Sequence, residues 1–463
     1  MLGRSMGFTK RLVEYALDSN KYDLLPLDLV EQSKEIMINA AGVALAAAAQ
    51  PDSRILTEVI QDLRGNGKCT IIGMGLRTSP SYAALANGMM INLLDFDDEI
   101  TQSDMHLSST ILPVVMAMGE MNGSSGQSVI AAYSVASEIT ARLGTFCEIA
   151  GEKESLRNRH SPVHMDGVLG VIGSTCAGAL MQGLGEKEFI NAIGIACGSA
   201  SGISGNFSSA ARAYQCGQSA MDGLMASVLA SHGLSSSVDS IESEEGLLKL
   251  FWDLSIDEEE FFRGLSNPYQ LVDPGVTLKL YPCDSASHTA IDAVLQLLQQ
   301  HAVDPKEVAS VNVSITPAAM KKLPVVTPTN GWESRFCLSY IVAATLLHGH
   351  PLLDFFTDPA VENSDVRHAM DLISVQATES PSSLSANPCT VSIVLNTGRK
   401  LENKVDFARG QPQMPLDREE LDAKFLYCTR YILPPDHIEE AIDSFRNLEN
   451  IENVTGMFSV LGG

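Results

Sequence analysis

The amino-acid sequence predicts a mostly α-helical protein with an α+β insertion, in which a large, discontinuous all-α domain surrounds a smaller α/β domain. Two observations support this fold class. Up to about residue 265, apolar side chains recur at helical spacing in one segment after another. Between about 273 and 410, β-branched segments alternate with helical ones, and the helical pattern then returns. We therefore expect a helical domain of residues 1–272 and 411–463, interrupted by an α/β domain of residues 273–410.

The individual elements follow from local patterns. Ser79-Pro80 begins one helix, since proline is favoured in the first helical turn. Gly and Ala recur on the predicted helices, which favours close helix packing. The predicted helices are 8–16, 29–49, 80–93, 111–121, 128–143, 167–184, 188–200, 219–231, 290–301, 334–347, 418–429 and 435–447, and the predicted strands are 276–281, 308–316 and 390–396.

The composition excludes several classes of protein. The 463 residues are 45% hydrophobic and 19% charged, which is typical of a globular chain rather than a disordered one. The net charge of −25 argues against attraction to nucleic acid or to an anionic membrane. The longest apolar run, near residues 40–49, is shorter than the roughly 18 residues that a membrane span needs.

The cysteines and the N-terminus favour a cytoplasmic protein. Nine cysteines are scattered, and none has a zinc-finger or C-x-x-C spacing, so reduced thiols are the simplest expectation. Residues 1–20 carry charges where a signal peptide would be apolar. Glycine motifs at 65–68 and 73–75 are incomplete, so a nucleotide-binding function has no support.

The acidic run at 95–99 is the first candidate for chemistry, because His106 follows it closely. A carboxylate such as Asp95 can orient a histidine as a general base. Two alternatives remain open at this point. The run can be a solvated helix end, or an aspartate-rich magnesium–diphosphate site of the terpene-synthase type, although that motif is incomplete here.

Two further candidates follow along the chain. His160 and His164 precede a glycine-rich helix start, whose partial positive charge suits a carboxylate. Arg212 is the only Lys or Arg between Lys187 and Lys249, in a segment rich in Ala, Gly and Ser. A buried cation needs an anion, so Arg212 forms either a structural ion pair or a bidentate clamp on a substrate carboxylate.

The last candidates lie in the predicted α/β domain. Lys279 and Tyr281 share one face of the predicted strand 276–281, and His288 follows. The alternative is a solvated lysine beside a packed tyrosine. Tyr340 follows an Arg-Phe pair and, taken alone, is an aromatic residue in the core of a helix.

At these residues the chain resembles the MmgE/PrpD family, which includes 2-methylcitrate dehydratase, cis-aconitate decarboxylase and iminodisuccinate epimerase. The resemblance covers nearly the whole length and keeps the order of the motifs. The matching segments are A-A-L-A-N-G at 83–88, L-D-F-D-D at 94–98, K-L-Y-P-C at 279–283 with His288, and R-F at 335–336 with Tyr340 and L-H-G at 347–349.

The resemblance implies a large all-α domain, an α/β lid domain, a homodimer, and a site in the cleft between the domains with no metal or organic cofactor. It implies site residues at four positions that match the family motifs, namely Asp95, His106, Lys279 and Tyr340. His160 matches the family histidine approximately, and His164 can substitute for it. This chain departs from the family where Arg212 replaces the usual lysine and Gln215 replaces a histidine.

The resemblance therefore implies a cofactor-independent lyase acting on a small di- or tricarboxylate, with no nucleic-acid or membrane partner. Dehydration of a 2-methylcitrate-like hydroxy acid is the leading hypothesis. In it, His106 (oriented by Asp95) and His160 or His164 exchange protons, Arg212 and Lys279 bind carboxylates, and Tyr340 donates a hydrogen bond or proton. Tyr281 and His288 complete the expected substrate-binding set. The alternatives are a cis-aconitate-type decarboxylase, an epimerase or isomerase of a dicarboxylate, and a non-catalytic polycarboxylate-binding paralogue.

Overall fold

The computed structural model describes residues 7–100, 102–153, 163–378 and 387–463. It divides into two units. The helical unit comprises Met1–Leu93, Asp97–Val276 and Arg418–Gly463, and the α/β unit comprises Leu94–Phe96 and Thr277–Asp417. The mostly α-helical fold class with a small α/β portion is confirmed. The sequence did not predict that Leu94–Phe96 would join the α/β unit.

The helices of the described residues begin and end as follows. In chain order they are α1 (Phe8–Ser19), α2 (Leu27–Ala48), α3 (Pro51–Asp62), α4 (Pro80–Asn92), α5 (Leu107–Asn122), α6 (Gly126–Lys153), α7 (Met165–Val168), α8 (Gly170–Gln182), α9 (Glu186–Cys197), α10 (Ala210–Ser231), α11 (Leu247–Trp252), α12 (Glu258–Gly264), α13 (His288–His301), α14 (Pro317–Lys322), α15 (Gly331–Ser334), α16 (Leu338–His348), α17 (Asp358–Val361), α18 (Ser364–Met370), α19 (Arg418–Thr429), α20 (Pro435–Arg446) and α21 (Thr455–Val460).

The strands are short and few. They are β1 (Cys69–Ile71), β2 (Leu76–Thr78), β3 (Asp98–Glu99), β4 (Thr277–Leu278), β5 (Val308–Ile315), β6 (Ile373–Ala377), β7 (Cys389–Leu395) and β8 (Lys400–Val405). β1 and β2 form an antiparallel pair in the helical unit. In the α/β unit, four strands form a sheet of order β6-β5-β7-β8, in which β5 and β6 are parallel and the other pairs are antiparallel.

Close helix packing in the helical unit depends on two facing glycines. α10 packs against α4, α8 and α9, and α4 also packs against α5. A Cβ on Gly217 of α10 would lie 2.2 Å from the carbonyl oxygen of Leu85 in α4. A Cβ on Gly88 of α4 would lie 2.6 Å from the carbonyl oxygen of Ser109 in α5. Because neither position has room for a side chain, the backbones of α4, α5 and α10 approach closely around the candidate site.

The core of the α/β unit lies between its sheet and the helices α13 and α16. β7 alternates buried and partly buried residues along its whole length, as expected for a strand with one face on a core. The buried face joins apolar side chains from the sheet and both helices, among them Val294, Leu297, Val313, Val342, Val391 and Ile393.

Several predicted elements differ from the structure, and the predicted helix 128–143 is longer, at Gly126–Lys153. The predicted strand 276–281 is reduced to Thr277–Leu278, and Cys283 N–H donates to the carbonyl of Tyr281 in a tight turn that follows. Lys279 and Tyr281 therefore do not share the face of a strand. The predicted helix 219–231 begins earlier, at Ala210, and the predicted helices 167–184 and 334–347 are each divided in two. β6 and β8 were not predicted.

The described helices and the cysteines agree with the sequence on two further points. Among the described residues, no helix is both long enough and apolar enough to cross a membrane. All nine cysteines are unpaired thiols.

Candidate active site

His106 is the centre of a buried polar cluster in the helical unit. It precedes the first turn of α5, and its backbone N–H donates to Asp166 Oδ1 at 2.7 Å. Its ring Nδ1 lies 3.2 Å from Asp97 Oδ2, which also accepts a hydrogen bond from Asn92 Nδ2 at 2.9 Å. The sequence assigned Asp95 to orient His106. The structure corrects this assignment, because Asp97 is the carboxylate beside Nδ1.

Arg212 contacts the other nitrogen of the same ring. It lies in the first turn of α10, is 6% exposed, and its Nη2 is 2.9 Å from His106 Nε2. A guanidinium can only donate hydrogen bonds, so Nε2 of His106 accepts this one. The ring proton of the neutral imidazole is then on Nδ1, which lies 3.2 Å from Asp97 Oδ2. The contact with Arg212 therefore fixes the tautomer of His106.

His164 is the second histidine of the cluster. It is 2% exposed, and its Nε2 lies 3.3 Å from Asp166 Oδ2. Burial lowers the pKa of His164; Asp166 acts in the opposite direction, and the charges of Arg212 and His106 reinforce the lowering. Burial by itself would raise the pKa of Asp166, but its contact with His164 and the two histidine charges outweigh burial and lower it. At neutral pH the pair is a neutral imidazole beside a carboxylate.

The loop between α9 and α10 packs against this cluster. The ring of Phe207 packs edge-on against His164, with centroids 5.3 Å apart, and lies 5.4 Å from Arg212 Cζ. Gln215 holds the loop, because its Oε1 accepts from Ile203 N–H at 2.6 Å and its Nε2 donates to the Ile203 carbonyl at 3.3 Å. Gln215 stands where the sequence comparison expected a histidine, and here it supports the loop that carries Phe207.

The acidic run is buried rather than solvated. Asp97, Asp98 and Glu99 are each 3% exposed or less. Burial, with the charge of Asp97, raises the pKa of Asp98 to about 6. Ser108 N–H donates to Asp98 Oδ2 at 3.2 Å, and the Ser108 hydroxyl contacts Tyr133. The alternative of a solvated helix end is therefore wrong for these residues.

Asp95 and Lys279 form a buried ion pair in the α/β unit. Lys279 Nζ donates to Asp95 Oδ1 at 2.6 Å, and the two side chains are 1% and 0% exposed. Asp95 has a left-handed backbone with φ of +51°, a conformation that Asp adopts more readily than most residues. The alternative of a solvated Lys279 is wrong.

The predicted aromatic and histidine residues of the α/β unit are packed into its core. The Tyr281 hydroxyl donates to Asp292, and its ring packs against His288 with centroids 5.0 Å apart. His288 Nε2 is 3.1 Å from the Cys283 carbonyl, so this nitrogen carries a proton. The Tyr340 hydroxyl donates to the Phe355 carbonyl, and burial raises the pKa of Tyr340 to about 12.

The family of the chain is shown by comparison with known proteins. The MmgE/PrpD N-terminal domain matches residues 10–258, and the MmgE/PrpD C-terminal domain matches residues 281–450. This chain belongs to the MmgE/PrpD family. It is 25% identical over 448 residues to the cis-aconitate decarboxylase of Mus musculus, covering 94% of this chain and 89% of that protein. It is 24% identical over 481 residues to the cis-aconitate decarboxylase of Aspergillus terreus, covering 98% of this chain and 96% of that protein.

In this MmgE/PrpD protein, the structure brings together His106, His164 and Arg212, and separately Asp95 with Lys279. His160 lies outside the described residues. Sequence reasoning missed two residues of the first cluster. Asp166 was signalled by its position two residues after His164, and Asp97 by its place within the acidic run.

Proposed function

We propose that this protein is a lyase that removes CO2 from a small unsaturated tricarboxylate such as cis-aconitate. The observation that carries the proposal is the contact of Arg212 Nη2 with His106 Nε2 at 2.9 Å. It joins a carboxylate-binding cation to a proton-carrying group inside one buried cluster. The relatives named as cis-aconitate decarboxylases span nearly the whole chain, and they favour decarboxylation over the dehydration that the sequence put first.

Decarboxylation makes three demands on a site. The bond between a carbon and its carboxylate breaks, CO2 leaves, and the electron pair remains on the substrate. Conjugation with a double bond and a second carboxylate spreads this negative charge, and nearby cations stabilise it. A general acid then delivers one proton to carbon, where it stays, and a second proton from solvent restores the acid. The site must therefore bind carboxylates, stabilise an anion and hold a proton.

Arg212 suits the first two demands. Its planar guanidinium can bind a carboxylate through two parallel hydrogen bonds, and it stays charged throughout. Because the guanidinium does not lose its proton, Arg212 is excluded as the proton donor. When a substrate carboxylate takes hydrogen bonds from Arg212, the bond to His106 Nε2 is exchanged. His106 can then bind a proton on Nε2, and the imidazolium is stabilised by Asp97 at 3.2 Å.

His164 is the second proton-carrying group of the proposal. Its lowered pKa favours the neutral ring, which can accept a proton at neutral pH, while Asp166 at 3.3 Å stabilises the protonated form. Asp166 also accepts the backbone N–H of His106 and so contacts both histidines. The roles of Lys279, Tyr340, Tyr281 and His288, the homodimer and the cytoplasmic location stay predictions.

Product analysis tests the proposal. The purified protein is incubated with cis-aconitate, citrate, 2-methylcitrate and a longer alkylcitrate, with and without a chelator. Released CO2 and the product masses are measured. We expect CO2 and a product shortened by one carbon from cis-aconitate. Loss of water with all carbons retained would establish the dehydratase instead. Binding of an acid without turnover would favour the non-catalytic paralogue, and an isomer of unchanged mass would favour the epimerase.

A further inference from the structure

Cys216 lies beside the second histidine pair but has no part in the proposed chemistry. It follows Arg212 by one helical turn on α10 and is completely buried. One ring nitrogen of His164, one oxygen of Asp166 and the sulfur of Cys216 all lie within 4.8 Å of one another. These three side chains therefore present an imidazole, a carboxylate and a thiol to one small volume.

Polar atoms of this group have no hydrogen-bond partner within the described part of the chain. Both ring nitrogens of His164 and Oδ2 of Asp166 are buried and unsatisfied. His164 Nε2 and Asp166 Oδ2 are 3.3 Å apart, a charge contact that leaves both atoms without a hydrogen bond. Buried polar atoms nearly always have a hydrogen-bond partner. The unpartnered atoms of His164 and Asp166 next to a thiol therefore indicate a ligand that the three side chains share.

We infer that His164, Asp166 and Cys216 bind a soft divalent cation such as Zn2+, and that the bound ion inhibits the enzyme. The donor set of nitrogen, oxygen and sulfur is one that zinc prefers. Two donors on a tetrahedral zinc stand roughly 3.3–3.6 Å apart. His164 Nε2 and Asp166 Oδ2 are already 3.3 Å apart. Cys216 Sγ lies within 4.8 Å of its two partner atoms, so it needs a movement of roughly 1.5 Å at most.

Charge balance makes Cys216 the decisive ligand. The thiol loses its proton to solvent as the metal–sulfur bond forms, because the thiolate is the ligand. The thiolate and Asp166 then offset the two positive charges of the ion, while His164 stays neutral. Arg212 is close enough to affect His164 electrostatically and opposes a cation. Without the thiolate, Asp166 would be the one negative ligand of the three, and it would have to offset the charges of both the ion and Arg212.

The inhibition follows from the proposed function, and this part of the inference rests on it. Coordination occupies a lone pair of His164, so that the ring can no longer accept a proton. It also holds Asp166, whose other oxygen accepts the backbone N–H of His106.

The binding experiment uses the cation alone and does not depend on turnover. The full-length protein is titrated with Cd2+, and the sulfur-to-metal charge-transfer absorption is recorded. Zn2+ retained after desalting is measured by elemental analysis. We expect one equivalent per chain. Cys216→Ser should remove the absorption band and weaken Zn2+ binding by at least about tenfold. Cys176→Ser is the matched control, because Cys176 is an equally buried unpaired thiol in α8, and it should bind like the wild type.

Three results would overturn the binding site. They are no charge-transfer band in the wild type, a band that persists in Cys216→Ser, or a loss of the band in Cys176→Ser as large as that in Cys216→Ser. If Cys216→Ser fails to fold, X-ray absorption of the wild-type zinc complex decides, and a first shell without sulfur refutes the site. With an active enzyme, Zn2+ should lower turnover reversibly, and Cys216→Ser should need at least about ten times more Zn2+. Full activity with one Zn2+ bound would refute the inhibition, and absence of any turnover would refute it together with the proposed function.

Discussion

Breaking the buried ion pair between Lys279 and Asp95 should strongly destabilise the α/β unit. Lys279 Nζ lies 2.6 Å from Asp95 Oδ1, and both side chains are at most 1% exposed. Lys279→Met keeps a side chain of similar length but leaves the Asp95 carboxylate without this charge partner. Removing one partner of a buried pair costs about 3–5 kcal/mol of the free energy of unfolding, since the remaining charge is desolvated. We therefore expect a loss of that size.

The assay is urea-induced unfolding, combined with hydrogen exchange to locate the loss in the α/β unit. Lys400→Met is the matched control. Lys400 and Glu402 are 2.7 Å apart in the same unit but are 60% and 52% exposed, so solvent screens their charges. The double variant Lys279→Met with Asp95→Asn should recover part of the loss, because the Asp95 charge is removed together with that of Lys279 and Asn tolerates the left-handed backbone. Equal stability of the Lys279 and Lys400 variants would refute this reasoning.

Three further predictions concern the helical unit. Gly202→Ala should lower kcat/KM and reduce the free energy of unfolding by about 1–3 kcal/mol, because φ is +145° and the new Cβ would lie 2.9 Å from Gln215 Oε1. Gly205→Ala is the control in the same loop, since its Cβ would meet nothing closer than 3.9 Å. It should match the wild type in both kinetics and stability. Asp97→Asn replaces a charge-assisted contact to His106 by a neutral one, so kcat/KM should fall by roughly tenfold to a hundredfold, and steady-state kinetics with less than a twofold loss would contradict this. Burial raises the pKa of Asp98 to about 6, so the folded protein binds this proton more tightly than the unfolded chain and loses stability as pH rises from about 4 to 6. The Tm of Asp98→Asn minus that of the wild type should therefore increase across this range, and a difference independent of pH would contradict the assignment.

The sequence predicted the helices well where apolar spacing was regular. The helix predicted at 29–49 is Leu27–Ala48 in the structure, and the helix predicted at 418–429 has those same bounds. It missed two short strands of the α/β unit. β6 reads I-S-V-Q-A and alternates over only five residues, all of them partly or fully exposed. β8 reads K-L-E-N-K-V, which has no regular alternation of apolar and polar residues. Their β conformation follows from pairing with β5 and β7, which a local pattern cannot show.

The candidate site was predicted in its residue types but not in its pairing. His106 was identified because it follows the acidic run, and His164 because it precedes a glycine-rich helix start. Arg212 was identified because it is a lone cation in a segment rich in small residues. Their partners were not, since Asp95 and Asp97 are two residues apart and either could orient a histidine. The left-handed backbone at Asp95 turns the chain between them. Asp95 contacts Lys279, whereas Asp97 contacts His106. The tertiary fold decides which carboxylate contacts which partner.

Release of CO2 from cis-aconitate by the wild type and by His106→Gln is the most direct test of the account. His232→Gln is the matched control, because His232 is an exposed histidine that follows the end of α10. Loss of a general acid or base costs roughly 100-fold to 10,000-fold in rate. We predict a loss of kcat/KM in this range for His106→Gln and wild-type kcat/KM for His232→Gln. Wild-type CO2 release by His106→Gln would contradict the proposed role of this cluster.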